Sequence, residues 1–328
     1  MANSIVYITG AHGFVGSNLM AYLSCTELKR LVTVGRYGRD LSYDEFDSQV
    51  LEPGSTIVHL AGKAHDLRDV ENPEDYYEAN FNLTKRVYDR FTQSDATAFI
   101  FLSSVKAVAD TVIGELTESE APNPSTAYGI SKLRAEDYLR HHSKSELQRT
   151  FILRPCMIHG PGNKGNLNLL YGLVAHRIPY PLGSFNNRRS LLTIENLCFV
   201  IEQIVAGEIE PGTYNVADDL PLSTNEMVTI LSQARRKRPL ILSPPRSIVM
   251  GLALLGDLLR LPLNSERLHK LTEDYVVSNA KLLQALGRNS MPIAAEVGLN
   301  QTALALRQGS SAARRRPHLS TTGLRGRE

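Results

Sequence analysis

A tyrosine and a lysine stand four residues apart in the segment "STAYGISKLRAEDYL", as Tyr128 and Lys132. On a helix this spacing places both side chains on one face. A lysine ammonium beside a phenol favours the phenolate and lowers the pKa of the phenol. Such a pair suits the proton transfer that accompanies hydride transfer at a carbon bearing an oxygen. Ser104 could donate a hydrogen bond to the same oxygen. The alternative for Tyr128 and Lys132 is an ordinary pair on a helix surface.

Hydride transfer needs a carrier, and the segment "YITGAHGFVGSNL" has the glycine spacing of a dinucleotide-binding turn. Gly10 permits the tight turn, Gly13 lets the backbone approach a pyrophosphate, and Gly16 allows a helix to pack closely on a strand. The helix that follows would direct its first amides at the anion. A purely structural turn is the alternative, but the position between a strand and a helix favours the phosphate cradle.

The elements that must position these residues are predicted from hydrophobic periodicity. Short apolar runs predict strands at Ile5–Thr9, Leu31–Val34, Thr56–Leu60, Ala98–Leu102 and Thr150–Leu153. Helical patterns lie at Val15–Ser24, Pro73–Thr92, Thr126–His142 and, after the last strand, Leu197–Val205. The repeated order of strand and helix predicts an α/β fold, a doubly wound parallel sheet of the Rossmann type with a smaller C-terminal substrate-binding lobe.

The domain boundaries follow from the change of pattern after this sheet. Residues 1–155 are predicted to form the dinucleotide-binding domain, and residues 186–211 to pack back on it. Residues 156–185 and 212–308 would form the substrate-binding lobe. Residues 309–328 carry a net charge of +4, which leaves −2 for the rest of the chain. They lack apolar periodicity and predict a disordered basic tail.

Composition argues against a metal site, a membrane partner and a nucleic-acid partner. The three cysteines are far apart and show neither metal-ligand spacing nor a disulfide framework. The longest uncharged apolar run, Ser247 to Gly256, is too short to cross a bilayer. The first residues lead into a strand and lack the pattern of a signal peptide. We therefore expect a cytoplasmic protein.

Taken together, these motifs resemble the extended short-chain dehydrogenase/reductase family, and more narrowly its NAD-dependent epimerase/dehydratase branch, which modifies nucleotide sugars. The resemblance runs from about residue 4 to residue 305. It includes the segments "VHLAG", "NFNLT", "RPCMIHGPG", "RRSLLTIENL" and "SNAKLLQALG". It implies Tyr128 as acid/base, Lys132 as the group that lowers the tyrosine pKa and anchors a ribose, and Ser104 as the residue that orients the substrate oxygen.

The resemblance also implies a nicotinamide dinucleotide held by residues of the turn and of the strand ends: Gly10, Gly13, Phe14, Val15, Gly16, Leu60, Ala61, Gly62, Asn80, Tyr128, Lys132 and Pro155. The second strand runs into Arg36, where NAD-preferring folds usually have an acidic residue. An arginine suits the 2′-phosphate of NADP(H). We expect NADP(H) to be favoured through Arg36, helped by Arg39, and NAD(H) to remain an option. The alternative is a solvated basic loop.

Three reactions of the family come into question. A 4,6-dehydratase carries an Asp-Glu pair after the serine, but Val105 and Lys106 stand there in this chain. A 4-epimerase with tightly bound NAD, acting on UDP-glucose or a UDP-N-acetylhexosamine, remains open. We favour a 4-ketoreductase of a UDP-2-acetamido-4-keto-6-deoxyhexose (UDP-N-acetylquinovosamine type) in bacterial surface-polysaccharide biosynthesis. A different class, a non-catalytic protein that senses NADP(H), is the further alternative.

The substrate end of the site is predicted in the second lobe. Arg189 matches the position where the family holds the diphosphate of a UDP-sugar, and a guanidinium suits that geometry. Asn166 is a candidate partner for the uracil or a phosphate, and Lys63 and His65 could approach the sugar. The family also implies a homodimer that packs through a helical bundle.

Overall fold

A six-stranded parallel sheet lies at the centre of the protein. The computed structural model describes residues 5–26, 30–37, 39–63, 72–142, 147–163, 167–259 and 264–314. The strands of these residues are β1 (Val6–Thr9), β2 (Leu31–Val34), β3 (Thr56–His59), β4 (Ala98–Leu102), β5 (Glu115–Leu116), β6 (Arg149–Pro155), β7 (Met157–His159), β8 (Leu191–Thr193), β9 (Gly212–Val216) and β10 (Val276–Val277). The order in the central sheet is β2-β1-β3-β4-β6-β9, and β5–β10 and β7–β8 form two small parallel pairs.

Helices cover both faces of this sheet. They are α1 (Phe14–Ser24), α2 (Tyr43–Ser48), α3 (Glu74–Tyr77), α4 (Leu83–Thr92), α5 (Ala127–His141), α6 (Leu167–Ala175), α7 (Ile194–Ala206), α8 (Thr224–Ala234), α9 (Arg246–Leu259), α10 (Ser265–Thr272), α11 (Ala280–Ala285) and α12 (Ala295–Arg314). The predicted α/β fold with a doubly wound parallel sheet is confirmed. Among the described residues, every helix is too short or too polar to span a bilayer.

Alternating strand residues build a separate core on each face of the sheet. Val6 and Ile8 of β1 point into a core shared with α1 and α7. Tyr7, between them, points into a core shared with α2, α4 and α5. Because both faces are buried, the strands read as nearly continuous apolar runs. Because all six strands are parallel, their carboxyl ends meet at one edge, where ligands bind in folds of this kind.

The predicted helix at Pro73–Thr92 is helical from Glu74 to Thr92, but it is not α-helical throughout. Helices α3 and α4 flank a π-helical segment at Glu78–Asn82. A π segment inserts one extra residue into a helical turn and is frequent at functional sites. The segment contains Asn80, whose side chain is fully buried.

The boundary between the sheet and the second lobe differs from the prediction. Strand β9 pairs with β6 and is the sixth strand of the central sheet, although residues 212–308 were assigned to the lobe. Its sequence "GTYNV" contains polar residues, as an edge strand can, and lacks the apolar run that predicts the other strands. Helix α7 packs on α1, and its leucines and isoleucines join the core on that face.

The last helix extends past the predicted start of the tail. Helix α12 extends to Arg314, so residues 309–314 belong to a helix. Once a helix is nucleated by packing, each added residue costs little, and the alanines here have high helix propensity. The rest of the predicted tail, residues 315–328, lies outside the described residues.

Candidate active site

The glycine turn joins β1 to α1 and presses against the end of β3. Gly10 has φ +70°, and a methyl group there would lie 2.7 Å from the amide nitrogen of Ala61. A methyl group on Gly16 would overlap the carbonyl oxygen of Gly10. The amide of Gly13 donates to that same carbonyl at 3.0 Å. Both the backbone conformation and the close approach therefore require glycine at the first and third positions.

The first turn of α1 is open to an anion. Phe14 and Val15 begin the helix, and Gly13 before them has no side chain that could cap their amides. Gly13 itself is exposed, so a ligand can approach the bare backbone. Uncapped amides at a helix N-terminus bind phosphate through hydrogen bonds and the helix dipole. The Asn18 amide group donates to the carbonyl of Pro161 at 3.1 Å and ties this turn to the loop after β7.

A buried chain of hydrogen bonds connects the turn to the middle of the fold. The Ala61 amide donates to Thr9 Oγ1 (3.1 Å), which lies 2.7 Å from His59 Nδ1. His59 Nε2 lies 3.0 Å from Thr84 Oγ1, which donates to the Asn80 carbonyl at 2.7 Å. Because the Thr84 proton is committed to Asn80, His59 must be protonated on Nε2 and must accept on Nδ1. Burial and the charge of Lys132 lower the pKa of His59 to about 3, which keeps the ring neutral.

Asn80 links the end of β3 to α5. Its amide group donates to Ser131 Oγ at 3.0 Å and to the carbonyl of Lys63 at 3.2 Å. Its side-chain oxygen accepts from the Lys63 amide at 2.8 Å. A methyl group at Gly62 would lie 2.6 Å from that oxygen, so glycine is needed for this contact. Asn80 thus fixes the loop after β3 relative to the helix that carries Tyr128.

Lys132 lies at the carboxyl end of β4. Its ammonium donates to the Leu102 carbonyl at 2.8 Å and lies 4.9 Å from the centre of the Phe101 ring. A methyl group at Gly62 would lie 3.4 Å from the same nitrogen. Burial lowers the pKa of Lys132 to about 8, and the charge of Glu136 opposes this shift.

Tyr128 forms a hydrogen bond with Ser104, and its pKa shifts in the direction opposite to the prediction. Burial raises the pKa of Tyr128 above its ordinary value, the hydrogen bond with Ser104 lowers it, and the nearby Tyr76 raises it. The net shift is opposite to the lowering predicted from the Lys132 ammonium, because burial, which raises the pKa, is the largest influence. The two residues do share one face at the carboxyl edge of the sheet, but the phenol stays protonated near neutral pH.

A buried ion pair that the sequence does not predict holds α5 in place. Glu136, one turn after Lys132, accepts two bonds from Arg154 Nε (3.0 and 3.1 Å) and one from its Nη2 (2.6 Å). The Ser103 hydroxyl donates to the same carboxylate at 2.5 Å. Glu136 and Arg154 are both buried. The network therefore fixes α5 against the ends of β4 and β6, where Pro155 is the last residue of β6.

The loop after β2 presents two exposed arginines, Arg36 and Arg39. The first carboxylate after this strand in the sequence is that of Asp40. It accepts from the Thr33 amide at 2.8 Å and from the Thr33 hydroxyl at 3.0 Å. Asp40 is therefore folded back on β2, and the cationic side chains remain at the surface of the loop.

The predicted substrate arginine lies next to an unexpected lysine. Arg189 donates to the carbonyl of Lys270 and lies 4.0 Å from the Glu273 carboxylate, while its buried Nε has no hydrogen-bond partner among the described residues. Lys106, two residues after Ser104, lies 4.2 Å from the centre of the Tyr275 ring, and Tyr275 pairs with Arg189 in a backbone bridge.

Burial acts on both of these cations. Burial lowers the pKa of Lys106, the charges of Asp110 and Glu273 oppose this shift, and the positive charge of Arg189 adds to it. Burial likewise lowers the pKa of Arg189, opposed by Glu273. Two partly desolvated cations therefore lie close to each other, and a bound anion would stabilise both charges.

Some of the remaining predicted residues lie in the described part of the chain and others do not. Lys63 forms an ion pair with Asp75 at 2.8 Å instead of facing an open space. Leu60 and Ala61 line the turn opposite Gly10. Asn166 and His65 lie outside the described residues.

These contacts fit a nicotinamide dinucleotide. The uncapped turn of α1 can hold its pyrophosphate, and Gly62, in the loop after β3, lies next to the Lys132 ammonium. Tyr128 can exchange a proton with an oxygen of a molecule bound beside the dinucleotide, and Ser104 can donate a hydrogen bond to that oxygen.

Comparisons with known proteins identify the family and the fold of the chain. The chain matches the NAD dependent epimerase/dehydratase family over residues 6–217. It is 30% identical to the UDP-glucose 4-epimerase of Vibrio cholerae, over 93% of this chain and 96% of that protein. It is 24% identical to the GDP-6-deoxy-D-mannose reductase of Pseudomonas aeruginosa, over 69% of this chain and 79% of that protein. The solved structure of RMD from Pseudomonas aeruginosa complexed with NADPH has the same fold, with a TM-score of 0.71, 18% identity and coverage of 94% of this chain and 99% of that one.

Proposed function

Because the chain belongs to the NAD dependent epimerase/dehydratase family, we propose that it is an NAD(P)-dependent 4-ketoreductase of a nucleotide sugar. Its substrate is a UDP-2-acetamido-4-keto-6-deoxyhexose, and its product is of the UDP-N-acetylquinovosamine type, used in bacterial surface polysaccharides. The observation that carries the proposal is the contact of Tyr128 with Ser104 at the sheet edge that also holds Lys132 and the glycine turn.

Tyr128 gives a proton to the C4 oxygen of the sugar while that oxygen gains negative charge. The nicotinamide, when bound, supplies the hydride. The raised pKa of Tyr128 keeps the phenol protonated, which suits a proton donor better than a base. Ser104 donates a hydrogen bond to the same oxygen and orients it. Lys132, whose pKa of about 8 leaves it mostly charged at neutral pH, stabilises the phenolate that remains.

The dinucleotide is held along the carboxyl edge of the sheet. The amides of Phe14 and Val15 bind its pyrophosphate, and Lys132 binds the ribose next to the nicotinamide. Arg36, helped by Arg39, binds the 2′-phosphate of NADP(H). The position of Asp40 supports this preference because its carboxylate is occupied by Thr33 and is not available to a ribose 2′-hydroxyl.

The diphosphate of the sugar nucleotide binds between Arg189 and Lys106. Two observations support this assignment. Arg189 Nε has no hydrogen-bond partner within the described part of the chain, and burial lowers the pKa of both side chains, so a dianionic ligand would compensate their charges. Lys106 stands where a 4,6-dehydratase has an acid, and a cation there suits diphosphate binding. Asn166 remains the candidate for the uracil.

A 4-epimerase is the second candidate, favoured by the similarity to the Vibrio cholerae enzyme over almost the whole chain. An epimerase would use the same Tyr128, first as base and then as acid, with Ser104 orienting the oxygen, and would retain NAD. A homodimer in the cytoplasm is proposed for either reaction, with α4 and α5 in the interface.

One experiment separates these candidates. The purified protein is denatured, the released dinucleotide is identified, and NADPH oxidation is followed with a UDP-4-keto-6-deoxy-N-acetylhexosamine. The reductase oxidises one NADPH for each 4-keto sugar consumed. Tightly held NAD, with interconversion of 4-epimers and no net oxidation, would replace the reductase by the epimerase. Full function of a Tyr128→Phe protein in cells would favour the non-catalytic alternative.

A further inference from the structure

Helix α9 exposes an unusual amount of apolar surface. Its polar residues are Arg246, Ser247 and Asp257. Seven large apolar side chains of this helix are between 46% and 79% exposed: Ile248, Met250, Leu252, Leu254, Leu255, Leu258 and Leu259. A helix that is apolar on nearly all sides is ordinarily buried in a core or in lipid.

Only a narrow stripe of α9 faces the protein. Val249, Ala253 and Gly256 are buried, at the spacing of one helix face. Val249 and Ala253 join a small core with Tyr180 and Val228. The exposed Ile248, Leu252, Leu255 and Leu259 repeat at the same spacing and therefore form a second stripe along the helix, on the flank next to the buried one.

Cations cluster around the same part of the lobe. Residues 235–259 contain five arginines or lysines and a single acid, although residues 1–308 have a net charge of −2. Lys237, Arg238 and Arg177 line a surface depression together with Tyr180 and Val228, which pack on α9. Arg236 and Arg246 are exposed as well.

We propose that α9 and these cations dock the protein on the surface of an anionic phospholipid bilayer. Apolar side chains of an amphipathic helix insert at the boundary between headgroups and acyl chains, while flanking arginines and lysines contact anionic lipids. The charge around α9 selects this partner, because a second copy would bring the same cations face to face. Such a docking surface would lie in the plane of the membrane and needs no spanning segment.

Docking through α9 places the candidate active site next to the membrane. Helix α10 packs on α9, and the carbonyl of Lys270 in α10 accepts from Arg189. The inference rests on α9 and its surroundings alone and stands whichever sugar the enzyme uses.

Flotation of the full-length protein with lipid vesicles tests the proposal. Wild-type protein floats with vesicles of phosphatidylglycerol and phosphatidylcholine, binds phosphatidylcholine alone far less, and is released as salt concentration rises. The L252Q/L255Q variant removes apolar surface from the exposed stripe, and its binding falls by about tenfold or more. Val50→Gln, a change at an 86% exposed residue on the other lobe, leaves vesicle binding unchanged.

A second variant keeps the test independent of the folding of α9. K237E/R238E changes exposed residues outside α9 and weakens binding to phosphatidylglycerol vesicles while thermal unfolding stays close to wild type. Absence of vesicle binding by the wild type overturns the proposal. Equal binding by L252Q/L255Q also overturns it, because the arginines of residues 314–328 would then suffice. Sedimentation that shows a dimer lost in L252Q/L255Q, without vesicle binding, would assign α9 to a contact between two copies instead.

Discussion

Tyr128 and Lys132 lie in surroundings that disfavour charge on either side chain. Burial raises the pKa of the phenol and lowers that of the ammonium, to about 8 for Lys132. Desolvation thus outweighs the mutual effect that the spacing of the two residues predicts. The sequence predicts that the two residues share a helix face, because helix periodicity is a local property. It does not predict the direction of the pKa shift of Tyr128, because burial depends on the folded protein.

The titration of Lys132 predicts a pH dependence of cofactor binding. With a pKa of about 8 in the free protein, Lys132 loses its charge as pH rises through this value. We expect the Kd for NADPH to increase above about pH 8, measured by fluorescence titration. Lys132→Met should bind more weakly at neutral pH and show a flat profile across this range. A profile in the variant that matches wild type would assign the pH dependence to another group.

Gly16 offers a test of the phosphate-binding turn. In Gly16→Ala the new methyl group overlaps the Gly10 carbonyl and displaces the first turn of α1. We expect NADPH affinity to fall by about tenfold or more, since the amides that contact the pyrophosphate move. Gly172→Ala is the matched control, because a methyl group there meets open space in α6. It should bind NADPH normally and be more stable by roughly 1 kcal/mol. Equal NADPH affinity in both variants would contradict the assigned role of the turn.

At the scale of elements, α5 is held by a network that no local pattern predicts. Ser103 and Arg154 reach Glu136 from strands 33 and 18 residues away in sequence. The sequence predicts α5, β4 and β6 individually, but it does not say which polar residues of these elements meet. In the sequence, nothing distinguishes Glu136 from the exposed charged residues of the same helix.

Breaking this network should destabilise the fold. Glu136→Gln leaves the buried Arg154 without its counter-charge, and removal of one partner from a buried ion pair costs about 3–5 kcal/mol. The free energy of unfolding in urea measures this loss. Asp137→Asn, at the neighbouring exposed pair with Arg140, should change it by less than about 0.5 kcal/mol. A Glu136→Gln protein as stable as Asp137→Asn would contradict the assignment.

The His59 chain, which joins β1, β3 and the π segment, predicts sensitivity to acid. The pKa of His59 is about 3 in the folded protein and 6.5 at its ordinary value. Below pH 6.5 the unfolded chain binds a proton at His59 and the folded protein does not. The free energy of unfolding therefore falls as the pH drops below 6.5. Between pH 7 and 5 this one residue contributes a loss of about 2 kcal/mol.

Variants of two histidines isolate this contribution. His59→Gln keeps hydrogen-bonding groups but does not titrate, so the decrease in unfolding free energy from pH 7 to 5 should be about 2 kcal/mol smaller than in wild type. His176→Gln, at an exposed residue of the loop after α6, should leave the decrease unchanged. An unchanged slope in His59→Gln would show that the ring is not kept neutral.

The π segment shows why local periodicity is not sufficient. Residues 73–92 read as one helix, and a single inserted residue leaves that pattern nearly intact. The insertion turns Asn80 inward, where it bonds Ser131 and both backbone groups of Lys63. Tertiary contacts to β3 and α5 therefore select the π turn.

At the scale of the whole molecule, the sheet and the second lobe are more interwoven than the sequence suggests. The chain returns to the central sheet with β9 after building part of the lobe, and α7 packs on α1 in between. The apolar runs predict β1, β2, β3, β4 and β6, and four of these strands lie between two others in the central sheet. Strand β9 lies at the sheet edge and has no such run, so its place becomes apparent only in the folded protein. The apolar run within α9 could be read from the sequence, but its exposure could not.

The central claim is that Tyr128 transfers a proton to a sugar oxygen next to a dinucleotide on the glycine turn. The most direct measurement is a single-turnover experiment with enzyme-bound NADPH and a UDP-4-keto-6-deoxy-N-acetylhexosamine, comparing wild type with Tyr128→Phe. The account predicts a rate of NADPH oxidation about 10²- to 10⁴-fold lower in the variant, with a similar Kd for NADPH. Equal rates in the two proteins would contradict it.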